Sequence, residues 1–317
     1  TFDSAYFQYK INREATGTAQ KGFYLKQLAM SLIPIPPLGE QHRIVAKIEE
    51  ILPYIDQYDK AYTKLETFNK KFPGDMKKSI LQMAMQGKLV EQRREEGTAD
   101  ELYEQIVAEK ARLIKDGKIK KEKPLPEITD DEIPFEIPSS WKWVRIGEVI
   151  SYQNGYSYSS KDMSHLQIGY PVIKSGNLMT LQVVINSKTS YIDKPNDKML
   201  ESQIKKNDML MCLSSQSDNP EPLGKTAVYR YDFPALLNQR VLKITAIKLE
   251  MVELLYYFIN SHYFHYNVSH QGGGSAQANL KLEHVLNMLI PLPPLKEQKR
   301  IVAKIVELLP YCDRFIK

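Results

Sequence analysis

Residues 31–60 read SLIPIPPLGEQHRIVAKIEEILPYIDQYDK, and residues 288–317 read MLIPLPPLKEQKRIVAKIVELLPYCDRFIK. The two align without a gap at an offset of 257 positions, and 20 of the 30 residues are identical. The match continues upstream at the same offset: Ser4, Tyr6, Phe7 and Tyr9 meet Ser261, Tyr263, Phe264 and Tyr266, while Gly17, Ala19, Gln20 and Leu25 meet Gly274, Ala276, Gln277 and Leu282. Solenoid repeats run to tens of residues, so this long period marks a duplicated module instead. Residues 1–60 copy residues 258–317, with everything else between them.

Each copy centres on Pro-Pro-Leu-x-Glu-Gln followed by a helical pattern. Pro36-Pro37 and Pro293-Pro294 block a helix before them and suit the start of one. Beyond the first pair, Ile44, Ile48, Ile51, Ile55, Tyr58, Tyr62 and Leu65 recur at steps of four and three. Such a seam suits pairing with another helix. The second copy keeps it at Ile301, Ile305, Leu308, Cys312 and Phe315. The expected arrangement sets Ile48, Ile51, Ile55, Tyr58 and Tyr62 against those five in an antiparallel pair; the alternative is an amphipathic helix packed on its own domain. Bends are expected at Pro53 and Pro310. The first helix should run from Leu38 to Phe72, roughly 50 Å, and break at Pro73-Gly74. Asp75 would cap a second helix carrying Met76, Ile80, Leu81, Met83 and Ala84, ending near Gly87.

Those motifs, twice around a variable domain, resemble the specificity subunit of type I restriction–modification enzymes. Further matches lie at Lys78-Ser79-Ile80-Leu81-Gln82, Gln86-Gly87-Lys88-Leu89, Ala108-Glu109-Lys110, Ile119 to Leu125, and Pro138-x-x-Trp141-x-Trp143. The resemblance covers essentially the whole chain. It implies a protein in which two target-recognition domains each read half of a split DNA site and conserved helices space them. It implies no bond chemistry in this chain and no cofactor on it. S-adenosylmethionine, ATP and magnesium would sit on the partners, the methyltransferase subunits and, through the complex, the restriction subunit. The alternative is a fragment of a single-chain restriction–modification enzyme with its own methyltransferase and nuclease domains.

The fold class expected is α+β: one complete target-recognition domain with a twisted mixed sheet, flanked by long spacer helices forming an antiparallel pair. Residues 1–37 would be the C-terminal remnant of a first recognition domain, and 38–123 the helical spacer region. Pro124, Pro126, Pro134 and Pro138 make 124–139 a linker, 140–293 the complete domain, and 294–317 the truncated start of a second spacer helix. Within the first remnant, Tyr6, Phe7 and Tyr9 belong to a helix, Gly17 to Gln20 to a turn, and Leu32 to Ile35 to a short strand. Thr98 or Asp100 should cap a helix with Leu102, Ile106 and Leu113 on one face. Trp141 to Ile146 alternates as a strand, and one helix should span roughly Leu249 to Asn267.

Composition fits. In 317 residues, 43% are hydrophobic, and no apolar run approaches the ~20 residues of a membrane span. Cys212 and Cys312 give no disulfide framework or metal spacing, as expected of a reducing cytoplasm. A net charge of +5 permits nucleic-acid binding without requiring it.

Loops rich in Ser, Asn, Gln, Tyr and Lys offer hydrogen-bonding groups to base edges and phosphates. The DNA-binding candidates are Gln153, Asn154, Tyr156, Tyr158 and Lys161; Lys174, Ser175 and Asn177; Ser214 and Gln216; Lys225; Gln239 and Arg240; and Ser275. Turn chemistry alone could account for any one of these loops. Lys110, Arg112, Lys115, Lys118, Lys120, Lys121 and Lys123 form a basic run followed by acidic residues from Glu127 to Glu136. It reads as a solvated linker, a DNA-backbone strip or a methyltransferase-facing surface.

Enzymatic signatures are incomplete. Gly224-Lys225-Thr226 ends like a phosphate-binding loop, but Asn219 stands where its first glycine belongs. Asp218-Asn219-Pro220-Glu221 lacks the second proline and aromatic residue of adenine methyltransferases. The first helix leaves its seam uncovered beyond about Tyr58, which invites a second copy of the chain and a palindromic target; the alternative is a monomer whose seam frays or folds back on residues 75–90.

Overall fold

The computed structural model describes residues 3–15, 22–179, 182–214, 224–271 and 280–314, with backbone only at 269–271. It contains two compact units, Thr1–Phe68 and Asn69–Lys317.

In the first unit, Ser4 caps helix α1 (Ala5–Glu14) by accepting from the Phe7 amide at 3.3 Å, and Phe7 is buried. Helix α2 (Leu25–Ala29) is held to the end of α1 where the Gln27 amide donates to the Glu14 carbonyl at 2.6 Å. The expected strand over Leu32 to Ile35 does not form: this stretch has no regular structure, and Leu32 and Ile35 are exposed. A strand needs a hydrogen-bonding neighbour, and none pairs with these residues among those described. The turn expected at Gly17 to Gln20 lies outside the described residues.

Helix α3 (Leu38–Met85) starts in this unit and ends in the second, and the expected break at Pro73-Gly74 is absent. Proline inside a helix forfeits a hydrogen bond at about 3 kcal/mol, but its φ is helical. Pro73 is buried, and the turns after it are anchored by Ile80, Ala84 and Met85. Pro53 is likewise carried within the helix.

The second unit contains the mixed α and β fold. Helix α4 (Ala99–Lys115) follows Thr98 and buries Leu102 and Ile106, the face expected from the sequence. Strand β1 (Lys142–Arg145), helix α5 (Ile146–Val149) and strand β2 (Ile150–Asn154) come next, then β3 (Tyr170–Ile173), β4 (Leu178–Met179), β5 (Gln182–Val183) and β6 (Ser190–Ile192). Helix α6 (Asp197–Leu200) leads to β7 (Gln203–Ile204), β8 (Met209–Cys212), β9 (Thr226–Val228), β10 (Ala235–Leu237) and β11 (Val241–Ala246). Helices α7 (Val252–Ile259), α8 (His262–Gln271) and α9 (Leu282–Asn287), strand β12 (Leu289–Leu292) and helix α10 (Leu295–Asp313) complete it.

The single late helix expected over Leu249 to Asn267 is two helices. Asn260 donates to the Tyr256 carbonyl at 2.8 Å, and the Ser261 hydroxyl accepts from the Phe264 amide at 3.3 Å. Two short polar side chains thus satisfy one helix end and the next helix start.

The mixed sheet is divided in three. A six-stranded sheet runs β2-β11-β8-β9-β5-β4 with only β5 and β9 parallel, a four-stranded sheet runs β6-β3-β10-β7 with β3 and β10 parallel, and β1 pairs with β12. Strand β8 shows why both faces must be apolar. Met209 and Met211 enter the core beneath α7 to α9, whereas Leu210 and Cys212 enter a second core with Ile173, Leu237 and Tyr229. Period-two alternation thus serves two cores at once.

Helix α10 packs antiparallel to the end of α3. Lys77 pairs with Asp313, while Gln92, just past α3, meets Glu297 near the start of α10. Between these ends, Ile301, Ile305 and Cys312 bury against Ile80, Ala84, Met85, Trp141, Leu254 and Phe258, with Leu308 at the margin. The antiparallel pair stands, but its register differs from expectation. Ile48, Ile51, Ile55, Tyr58 and Tyr62 are all exposed, and Phe315 lies outside the described residues. A seam of threes and fours repeats along the whole helix, so it defines a face without defining a register.

Candidate nucleic-acid interface

Six strand ends meet at one rim of the second unit. Strands β2, β3, β8 and β10 finish there, and β9 and β11 begin there. Backbone hydrogen bonds tie the loops together: Asn238 N to Ile173 O at 3.0 Å, Gln239 N to Tyr156 O at 3.0 Å, Leu213 N to Arg240 O at 3.2 Å, and Cys212 N to Lys225 O at 2.9 Å. Leu280 joins by donating to Leu213 O at 2.8 Å. Gly155 permits the tightest approach. A Cβ there would lie 2.1 Å from the Asn238 carbonyl oxygen, so no larger residue fits without moving the loop.

The candidate residues divide by what their polar groups already do. Tyr158 is buried, its hydroxyl bonded to Ser202, its ring against Val172 and Met199; burial pushes its phenol up from its ordinary pKa. Asn177 is also buried: it accepts from the Lys174 amide at 3.0 Å and donates to Val184 O and the Thr189 hydroxyl at 2.9 and 3.0 Å. Both residues are committed to holding turns and leave the set of base-reading candidates. A polar side chain in a turn satisfies backbone groups as readily as base edges, and only burial separates the two uses.

Lys174 donates to the Ser190 hydroxyl at 2.8 Å, and Gln153 to the Glu201 carbonyl. Ser175 is half-buried in the turn after β3. Tyr156 bridges to Asn238, its ring 5.1 Å from that of Tyr158. Lys225 stands on the rim backbone at the start of β9. The Ser214 hydroxyl is buried with no hydrogen-bond partner among the described residues. Lys161 sits in an exposed turn, Ser160–Asp162. Gln216 and Ser275 lie outside the described residues. That leaves Asn154, Gln239 and Arg240 as exposed side chains on the rim. The Arg240 side chain makes no ion pair or hydrogen bond among the described residues. A guanidinium can address guanine or phosphate, and the amides of Asn154 and Gln239 can address adenine.

Sequence reasoning missed two clusters that hold this domain in place. Arg145, 3% exposed, donates to the carbonyls of Pro126, Glu127 and Asn287 and pairs with Glu132, strapping the proline-rich linker to β1. Glu297, 1% exposed, accepts from the Trp141 indole at 2.8 Å and from Gln92 at 2.6 Å. Burial pushes its carboxyl up, against the downward pull of those two donors. The signal for it was a carboxylate on the helix face that also carries Ile301 and Ile305.

Among the described residues no three His, Cys, Asp or Glu side chains gather as a metal site, and no helix is long and apolar enough to cross a membrane.

Residues 138–312 match the family model described as the type I restriction modification DNA specificity domain. The chain belongs to that family. Among curated specificity subunits, it is 30% identical to that of the type I restriction enzyme EcoAI from Escherichia coli over 89% of this chain and 54% of the relative. It is 28% identical to the EcoEI specificity subunit from Escherichia coli over 75% of this chain and 41% of the relative. The chain thus spans about half the length of the curated relatives it matches. A chain from a solved type I R-M system, reported for complex assembly and conformational transition, superposes with a TM-score of 0.50. Its identity is 20%, covering 97% of this chain and 61% of that one, so the likeness is one of fold. The specificity-domain match encloses the rim, Trp141 and most of α10.

Proposed function

We propose that this chain is a non-catalytic DNA-recognition subunit whose rim reads one half of a bipartite duplex target. The observation that carries this is the convergence of six strand ends on one edge with Asn154, Gln239 and Arg240 exposed, inside the segment that matches the specificity domain. Lys161, Lys174, Lys225, Tyr156, Gln153, Ser175 and Ser214 would supply backbone and supporting contacts around them. Phosphate contacts position a protein and base-edge contacts specify sequence. The helices would space half-sites and dock methyltransferase subunits, and through them a restriction subunit, in the cytoplasm. Cofactors and metal would stay on those partners. The exposed face of α3, with Ile48, Ile55 and Tyr58, would pair with a second copy when the chain assembles by itself.

Selection of bound sequences from a random duplex pool tests this reading. The expected result is one enriched half-site whose preference relaxes at a single base pair in Arg240→Ala, at about 1–3 kcal/mol for a bidentate contact. Binding should also weaken steeply between about 50 and 200 mM salt. No enrichment, or affinity indifferent to salt, refutes it.

A further inference from the structure

The basic run after α4 follows the rim's edge strand. Glu122 lies against the Tyr152 phenol on β2, the Leu125 side chain lies beside Gly147, and the Pro126 carbonyl accepts from Arg145 at 2.7 Å. Residues 122 to 126 therefore run antiparallel to residues 145 to 152. Lys121 and Lys123 flank Glu122 and its contact with Tyr152, two residues before Asn154 at the rim, while Ile119 is tied back to the end of α4 by its amide on the Leu113 carbonyl at 3.4 Å. Every third residue along it, from Ile119 to Leu125, is half-buried. Ile119 and Glu122 are half-buried, while Lys120, Lys121 and Lys123 are exposed, and none of these three lysines forms an ion pair among the described residues. The following acidic stretch lies at the far end, where Glu132 is held by Arg145. The linker is thus polarised, with unpaired positive charge beside the rim and negative charge away from it.

We infer that Lys120, Lys121 and Lys123 form a phosphate-binding strip that continues the rim and grips the duplex beside the half-site, without reading bases. The inference rests on the rim being the DNA-reading edge. Charge complementarity favours duplex DNA over an acidic protein surface. The strip is anchored at Tyr152, two residues before Asn154 on the same strand, and ammonium groups on flexible stems suit delocalised phosphate charge better than a shaped protein epitope.

The test is fluorescence anisotropy with the intact chain, a selected half-site duplex, a duplex of unrelated sequence, and a salt series. The triple variant Lys120→Gln, Lys121→Gln, Lys123→Gln should bind both duplexes more weakly by the same factor. Its salt slope should be shallower by about 2–3, near one per phosphate contact removed. The Lys→Arg triple should restore the slope, and melting should not change in either variant. A triple variant with wild-type slope overturns the inference while leaving the DNA reading intact. So does one that keeps its slope but no longer binds a methyltransferase subunit, which would make the strip a protein contact. A wild-type chain that binds neither duplex overturns the DNA reading itself.

Discussion

Glu297 and Glu40 occupy the same place in the two copies of the repeat, yet the structure gives them opposite consequences. In both copies the neighbouring glutamine has a local task. Gln41 donates to the Pro36 carbonyl and Gln298 to the Pro293 carbonyl, each at 2.8 Å. The glutamates differ. Each oxygen of Glu297 takes one donor, the buried Trp141 indole or the Gln92 amide, whereas Glu40 is exposed with no side-chain hydrogen bond among the described residues. Glu297→Ala removes both acceptors and leaves the buried Trp141 indole unsatisfied beside Ile301, while the exposed Gln92 amide keeps the Gly87 carbonyl at 3.1 Å. That one orphaned buried donor costs about 1–3 kcal/mol, and a cavity adds to it. A loss of about 3 kcal/mol corresponds to roughly 6–12 °C in a unit of this size. Glu297→Gln keeps one acceptor and loses the buried charge, so its loss should be nearer 1 kcal/mol. Because the folded pKa of Glu297 is raised, its own stabilising contribution is full in acid and is lost as pH rises through that pKa. Wild type should therefore exceed Glu297→Gln by most in acid. Thermal melting followed by tryptophan fluorescence, with Glu40→Ala as the internal control, measures all of this. If Glu297→Ala melted with wild type, or Glu40→Ala fell as far, the reasoning would be refuted.

Three further outcomes are expected. Ile305 is fully buried and Ile48 about half exposed, so Ile305→Asp should abolish folding of the second unit and Ile48→Asp should leave its melting unchanged, as circular dichroism would report. Glu96 bonds Arg300 at 2.6 Å, and that contact holds its carboxyl below the usual range. Its stabilisation should persist above the ordinary carboxylate pKa and disappear as pH falls through the lowered one, a loss absent from Glu96→Gln in acid titration. Gly155→Ala should disturb the rim and weaken DNA binding, while Gly176→Ala, whose Cβ meets nothing within 4 Å, should bind like wild type in the same anisotropy assay.

The sequence by itself settled the duplication, the long helix starts after each proline pair, the face of α4 and the family resemblance. These follow from local spacing. Prolines fix where a helix begins, and apolar residues every three or four positions fix which face is buried. The exposed heads of Arg240, Gln239 and Asn154 were within reach for the same reason, as polar residues in turns between apolar strands. Their separation from Tyr158 and Asn177 was not, because burial is a property of the neighbours.

Only the tertiary structure decided what each copy of the repeat becomes. Leu289 to Leu292 forms β12 because β1 lies beside it, while the matching Leu32 to Ile35 pairs with no strand among the described residues and is irregular. Ile301 and Ile305 are buried where Ile44 and Ile48 are exposed. Strand pairing and helix register depend on groups distant in the chain. A strand's hydrogen bonds need a second strand, and a seam of threes and fours fits at many registers until end contacts choose one. In the second copy those contacts are Trp141 and Gln92 on Glu297, together with Lys77 on Asp313.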